Sequence, residues 1–301
     1  QDKRPKIYDT SAIQRSSPLA QNHCAAWATP RLAAHSHNIE RLARTRTKRQ
    51  QPLRLSAWFA SCDKRMTTVK TARGHWPTAL IFDLDGTLVD SAPDIAAAVE
   101  RALVDHNVAI DSTEIRDYIG DGAACLIERV LAAREIVAGP KGLAGYVDDF
   151  NALYHAAPAA RTQCYPGARE MLSWARARGH RVGICTNKPQ PVAERVLAEL
   201  GLASEIDVLI GAGTYPLKPD PAPLLACLSA LGANRDTALY VGDMAVDRDV
   251  ARAAGLPVVL VSFGYAHADV SEFSPEAVLH RWDDWPEVCQ GLADARAAEG
   301  L

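Results

Sequence analysis

The chain has 301 residues, 48% of them hydrophobic, with 33 Lys and Arg against 36 Asp and Glu. That apolar content can fill a core, and 19 Gly with 18 Pro is ordinary, which excludes a wholly disordered or collagen-like chain. No apolar run approaches the roughly 18 residues that span a bilayer; the best are residues 79–82 and 257–261.

The formal charge of −3 hides an asymmetry. Residues 1–75 hold 15 Lys and Arg and 4 Asp and Glu, a formal +11, and the remainder carries −14. The densest basic run is Arg41, Arg44, Arg46, Lys48, Arg49 and Arg54. This part lacks apolar periodicity, so residues 1–75 read as a basic, mostly disordered extension. Four readings of residues 1–65 stand open. Met66 is the true start; the segment is an Arg-rich targeting peptide; it is a nucleic-acid arm; or it is a solvated tail. Nucleic acid is the weaker choice, since Trp58 and Phe59 offer little aromatic interleaving. The seven cysteines (24, 62, 125, 164, 185, 227 and 289) are scattered without a C-x-x-C pair. That argues against a disulfide framework or a zinc site and suits a reducing cytoplasm.

From Trp76 onward, short apolar runs alternate with helical patterns. Strands are predicted at 79–82, 182–185, 208–210, 239–241 and 258–261, with helices at 168–178, 191–200, 221–231 and 246–254. Gly179, Gly201, Gly232 and Gly255 fall where helices end. Continuous apolar strands alternating with helices imply a doubly wound α/β parallel sheet, with ligands at the carboxyl ends of its strands. One gap interrupts the rhythm. Between Ser91 and Tyr165 only helices are predicted, at 93–105, 123–133 and 143–155, with Ser91 as N-cap. The division is therefore a core at 76–91 and 166–301 and a helical cap at 92–165, hinged near Ser91 and Tyr165-Pro166.

Acids gather where strands end. Asp83 and Asp85 follow the first strand two residues apart, on one side of an extended chain. Asp243 and Asp247 follow another, at a helix start that favours acids in any case. Four carboxylates need a counter-ion, and all-oxygen donors suit Mg²⁺ rather than zinc. Thr186-Asn187 and Lys218-Pro219 add a hydroxyl and an ammonium suited to phosphoryl oxygens. Paired acids also describe glycosidase chemistry, but the lysine, threonine and metal acids favour phosphoryl transfer.

These four motifs, Asp83-x-Asp85-Gly86-Thr87, Thr186-Asn187, Lys218-Pro219 and Gly242-Asp243-x-x-x-Asp247, resemble those of the haloacid dehalogenase superfamily in type and order. The likeness covers about residues 78–285, and the helical insert resembles that superfamily's cap. It implies that Asp83 attacks phosphorus to form a phosphoaspartate, and that Asp85 acts as acid and then base. It also implies that Thr186, Asn187 and Lys218 bind phosphate. Asp83, the Asp85 carbonyl and Asp243 would hold Mg²⁺, and Asp247 would support the metal and orient Lys218. Asp at position 85 argues for ester hydrolysis over dehalogenation.

Further segments, among them Val89–Asp94, Gly120-Asp121-Gly122 and Phe263-Gly264-Tyr265, resemble bacterial phosphoglycolate phosphatases. The implied substrate is a small phosphorylated metabolite, 2-phosphoglycolate first, with sugar phosphates as the alternative. Gly120 and Gly122 would bring backbone amides to the anion, or merely break two helices. Arg129 would meet the substrate carboxylate, or pair on the surface. Lys188 is either a second cation beside the phosphate or a solvated helix start. Met244 departs from the small hydroxyl residue common at that place in the family. A phosphomutase is the second enzymatic reading, disfavoured because no basic pair follows the first motif. The chain is expected to be a monomer or homodimer without membrane association.

Overall fold

The computed structural model describes residues 76–299, and the expectations placed on residues 1–75 lie outside them. The first apolar run forms β1, Ala79–Phe82, with every side chain buried. The chain then turns into a two-residue strand, β2 (Val89–Asp90), and enters the helices α1 (Ala92–Ala102), α2 (Ala123–Ala133) and α3 (Gly142–Ala156). It returns through β3 (Gln163–Cys164), antiparallel to β2. There follow α4 (Ala168–Ala177), β4 (Arg181–Pro189), α5 (Gln190–Glu199), β5 (Val208–Ala212) and α6 (Ala222–Leu231). The chain ends with β6 (Ala238–Gly242), α7 (Ala245–Ala254), β7 (Val258–Val261), β8 (Ala277–Leu279) and α8 (Trp285–Ala298).

Six strands form one parallel sheet in the order β5-β4-β1-β6-β7-β8. The chain builds outward from β1 to β5, then crosses to β6 on the other side of β1. That reversal is a topological switch point, and the crevice it opens lies at the carboxyl ends of β4, β1 and β6.

Side chains alternate across the sheet with the period of two that strands impose. Leu80 and Phe82 pack on one face with Leu172, Trp282 and Trp285. Ala79 and Ile81 pack on the other with Leu224 and Leu228 of α6 and Val250 of α7. Both faces are covered, which is why these strands read as unbroken apolar runs. Gly179, Gly201, Gly232 and Gly255 take positive φ just past the helices, as expected. No disulfide joins the described cysteines. Among the described residues, no helix is long and apolar enough to cross a membrane.

Two details differ from the expectation. β4 continues four residues past the apolar run, through Thr186, Asn187 and Lys188 to Pro189. Those polar side chains are buried in the crevice, so polarity there marks a site and not a strand end. Ser91 stands at the N-cap of α1 but makes no capping bond; its hydroxyl donates instead to Asp85 Oδ1 at 2.6 Å.

The helical insert has its own apolar cluster, including Val99, Ile127, Val130 and Phe150. Val192 and Tyr265 from the sheet body complete that cluster. Buried Asp94 in α1 accepts from Thr162 N and Thr162 Oγ1, each at 2.7 Å, and so ties the outgoing chain to the returning one.

Trp282 anchors the apolar layer beneath the sheet, 2% exposed, edge-on to Phe82 with ring centroids 5.9 Å apart. Trp282→Ala is expected to cost about 3–5 kcal/mol. Urea unfolding checks it as a lower midpoint at an unchanged slope.

Candidate active site

Three strand ends deliver the polar residues. β1 leads directly into Asp83, whose N–H donates to Val241 O at 2.9 Å. β4 carries Thr186, Asn187 and Lys188, and β6 leads to Asp243 and the start of α7. A cavity of about 60 Å³ lies between them and the insert. Asp83, Asp85, Thr186, Asn187, Lys188 and Lys218 form its polar wall. Ile95, Ile119, Leu126 and Phe150 from the insert, with Met244, give it an apolar one.

Lys218 is the centre of the charge arrangement. Its ammonium is buried, 2.7 Å from Asp247 Oδ1 and 2.9 Å from Asp83 Oδ1. Burial works to lower its pKa, but the two carboxylates outweigh burial and hold it above the ordinary lysine value. The backbone of Lys218 is also fixed. Its N–H donates to Asn187 Oδ1 at 2.8 Å, and its carbonyl accepts from Asn187 Nδ2 at 3.2 Å. Asn187 Nδ2 also donates to Gly120 O at 2.9 Å. The Asn187 amide therefore joins Lys218 to the insert; its contacts position the lysine, and they leave little of it for phosphate.

Asp247 is saturated. Oδ1 faces Lys218 and the Tyr240 hydroxyl, 3.0 Å away. Oδ2 accepts from Asp243 N at 3.1 Å and Met244 N at 3.0 Å. One carboxylate thus serves as the helix-start acceptor and as the partner of Lys218.

Asp243 is clasped by backbone. Tyr265 N donates to its Oδ2 at 2.7 Å, and Thr87 Oγ1 donates to Oδ1 at 3.0 Å. A Cβ on Gly86 would stand 2.2 Å from Asp243 Oδ2, and one on Gly264 would stand 2.3 Å from Asp243 Cβ. Only glycine permits this approach from two sides.

Oxygens of Asp83, Asp243 and Asp247 all lie within 4.8 Å of one another. Burial, with the neighbouring acids, raises the carboxyl groups of Asp83 and Asp243, Asp83 to about 6 against the opposing pull of Lys218. Two raised carboxyls on oxygen-only donors are the setting of a hard divalent cation, so the residues fit the ion that the family likeness implies. Since Asp247 has no spare lone pair toward the cluster, Asp83 and Asp243 are the open side-chain donors.

Asp85 points elsewhere. It accepts from Lys188 Nζ at 2.8 and 3.0 Å as well as from Ser91. The two acids of the first motif therefore share a cavity but answer to different lysines. Lys188 is buried, which excludes a solvated helix start. It also donates to the phenol of Tyr154, a residue of α3 that the sequence did not single out.

Gly120 and Gly122 line the cavity, both at positive φ, and α2 begins just after Gly122. Arg129 does not line it. Its guanidinium pairs with exposed Asp121 and reaches Tyr118 O, so the surface pairing is the one found. Tyr265 is a second residue missed. Its hydroxyl accepts from Ser91 N at 2.8 Å and Ala92 N at 3.1 Å and donates to Asp90 Oδ1 at 2.9 Å, pinning the chain where the insert begins. The Phe263-Gly264-Tyr265 likeness was the signal for it; Tyr154 had none.

Gly264→Ala is expected to destabilise the fold by about 1–3 kcal/mol, because the added methyl meets the Asp243 side chain and the Gly86 carbonyl. Chemical denaturation beside the wild type measures the loss.

The haloacid dehalogenase-like hydrolase family model matches residues 80–261. The phosphoglycolate phosphatase of Cereibacter sphaeroides (strain ATCC 17029 / ATH 2.4.9) is 44% identical over 215 residues, which cover 71% of this chain and 98% of that protein. That of Rhodospirillum rubrum is 41% identical over 214 residues, 67% of this chain and 87% of that protein. Among solved structures, a predicted phosphoglycolate phosphatase from Haemophilus somnus superposes with a TM-score of 0.65 at 26% identity, covering 70% of this chain and 97% of its own. The chain belongs to the haloacid dehalogenase-like hydrolase family, and it resembles the phosphoglycolate phosphatases within it.

Proposed function

We propose that the chain is a Mg²⁺-dependent phosphomonoesterase that hydrolyses 2-phosphoglycolate to glycolate and phosphate through a phosphoaspartate on Asp83. The observation that carries this is the buried Lys218–Asp83 contact facing Asp85 across one small cavity. It supplies a nucleophile, a cation for the transferred group and a second acid within one enclosure. The named relatives at 44% and 41% identity support the substrate. The cavity supports a small ester over a sugar phosphate. Its insert-side wall is apolar apart from Tyr154 and offers few partners for sugar hydroxyls.

In this reading residues 92–165 are the cap, and 76–91 with 166–301 are the core. Asp83 and Asp243, with the Asp85 backbone carbonyl, hold Mg²⁺, and Asp247 supports the set. When bound, the ion neutralises the clustered acids and stabilises charge on the phosphoryl group. A carboxylate oxygen of Asp83 forms a bond to phosphorus as the ester oxygen leaves, and Asp85 gives that oxygen its proton. Asp85 then takes a proton from water, whose oxygen attacks the phosphoaspartate and releases phosphate. Lys218 and the Thr186 hydroxyl hold the phosphoryl oxygens. Thr186 Oγ1 accepts from Lys188 N at 3.3 Å, so its own hydrogen remains to donate. Gly120 and Gly122 let the first turn of α2 approach the substrate.

A panel of phosphate esters tests the reading. The highest kcat/KM is expected with 2-phosphoglycolate, and strong turnover of another ester without it rejects the substrate. Asp83→Asn is expected to lower kcat at least about 1,000-fold; wild-type rates would reject the mechanism. A chelator is expected to abolish activity, and Mg²⁺ to restore it.

Stability gives a second measure. The folded chain keeps protons on Asp83 and Asp243 that the unfolded chain releases above about 3.8. Without a divalent ion, stability therefore falls as pH rises from there through about 6. Thermal melts in chelator are expected to show that fall, and melts in Mg²⁺ to show much less of it.

A further inference from the structure

Among the described residues, only Lys188 and Lys218 bring a Lys or Arg side chain to the cavity wall. Lys218 stands between Asp83 and Asp247, where the reading above places the phosphoryl group. Lys188 is the cation that the chemistry above does not use. Burying an ammonium costs several kcal/mol unless partners compensate it, and here the compensation is a built arrangement. Nζ reaches Asp85 Oδ1 at 2.8 Å and Oδ2 at 3.0 Å, and the Tyr154 hydroxyl at 2.5 Å. The Tyr154 ring lies beside it with its centroid 4.6 Å away. Burial pushes the Tyr154 phenol up to about 12, so it remains a neutral hydroxyl beside the cation.

The place of Lys188 along the substrate follows from these contacts. The phosphorus atom belongs at Asp83, and the leaving oxygen belongs at Asp85. Lys188 touches Asp85 on one side and α3 of the insert on the other. It therefore stands beside the organic part of the ester and away from the phosphoryl group. The rest of that wall is apolar: Ile95, Ile119, Leu126, Phe150 and Met244. A second negative charge on the substrate finds no other Lys or Arg there. Arg129, the sequence candidate for that task, is spent on Asp121. Two of the three N–H donors of the ammonium meet one carboxylate and the third meets Tyr154, so a substrate carboxylate binds by taking over a donor now turned to Asp85.

We propose that Lys188, positioned by Tyr154, binds the carboxylate of the leaving group and so selects phosphate esters of short hydroxy acids over esters of uncharged alcohols. This rests on the phosphatase reading above and adds the residues that choose the substrate. A desolvated ammonium–carboxylate contact discriminates strongly, because the analogue lacking the acid leaves the cation without that bond.

The test compares 2-phosphoglycolate with ethyl phosphate, which puts a methyl where the carboxylate stands. Wild type, Lys188→Met and Tyr154→Phe are each assayed for kcat and KM on both esters. Wild type is expected to favour the acid at least about 100-fold in kcat/KM. K188M is expected to reduce that preference about 100-fold, chiefly through KM for 2-phosphoglycolate. Y154F is expected to reduce it about 10-fold. If K188M slows both esters by the same factor, Lys188 serves Asp85 alone and the inference falls. If wild type shows no preference for the acid, the substrate reading falls and this inference with it. If K188M fails to fold, product inhibition of the wild type decides. Glycolate is expected to compete with substrate where ethanol does not, and absence of that difference overturns the assignment.

Discussion

An ammonium held out of water between two carboxylates organises this molecule. Lys218 has almost no exposed surface, and its charge survives there because Asp247 and Asp83 lie 2.7 and 2.9 Å away. Removing one member of such a set leaves the others uncompensated in a low dielectric, a loss of about 3–5 kcal/mol. Each member is therefore fixed from outside the set. Asp247 is locked by two amides at the start of α7, Asp83 by the β1–β6 ladder, and Lys218 by the Asn187 amide on its backbone. The sheet and the site share these bonds, so a change that loosens one loosens the other.

The same logic separates two acids that are neighbours in sequence. Asp83 and Asp85 stand two residues apart and would repel if they shared one environment. The fold gives each its own lysine. Asp83 belongs to the Lys218 set, with its carboxyl raised by burial, and Asp85 belongs to Lys188 and Ser91. The two carboxylates therefore sit in two different environments despite their spacing in the sequence. The sharp turn that follows them closes on the same site. Gly86 approaches Asp243 where no side chain fits, while Thr87 turns inward onto the same carboxylate.

How much of this was legible follows from the range of the interactions. The strands β1, β6 and β7 were readable because they are buried on both faces and apolar throughout. β8 was not, being a three-residue edge strand only partly buried, and β2 and β3 are too short to carry a period. Thr186, Asn187 and Lys188 looked like the end of a strand because burial of polar residues cannot be seen locally. Asp83, Asp85, Lys218, Asp243 and Asp247 were readable because chemistry dictates their type and the strand ends dictate their place. Asn187 was found, but its side-chain contacts to the backbone of Lys218 and Gly120 could not be foreseen. The Lys188–Tyr154 contact joins residues 34 positions apart and leaves no pattern in either segment.

The insert is part of this arrangement. Its contacts with the sheet body fall on residues that shape the site. Gly120 O accepts from the amide that positions Lys218, and Tyr154 accepts from the lysine that pairs with Asp85. Tyr265 grips the first residues of α1, and its backbone N–H holds Asp243. The contacts of the insert therefore bear on both lysines and on Asp243 together. A change that loosens the contacts of the insert thus loosens the charged set through the same hydrogen bonds.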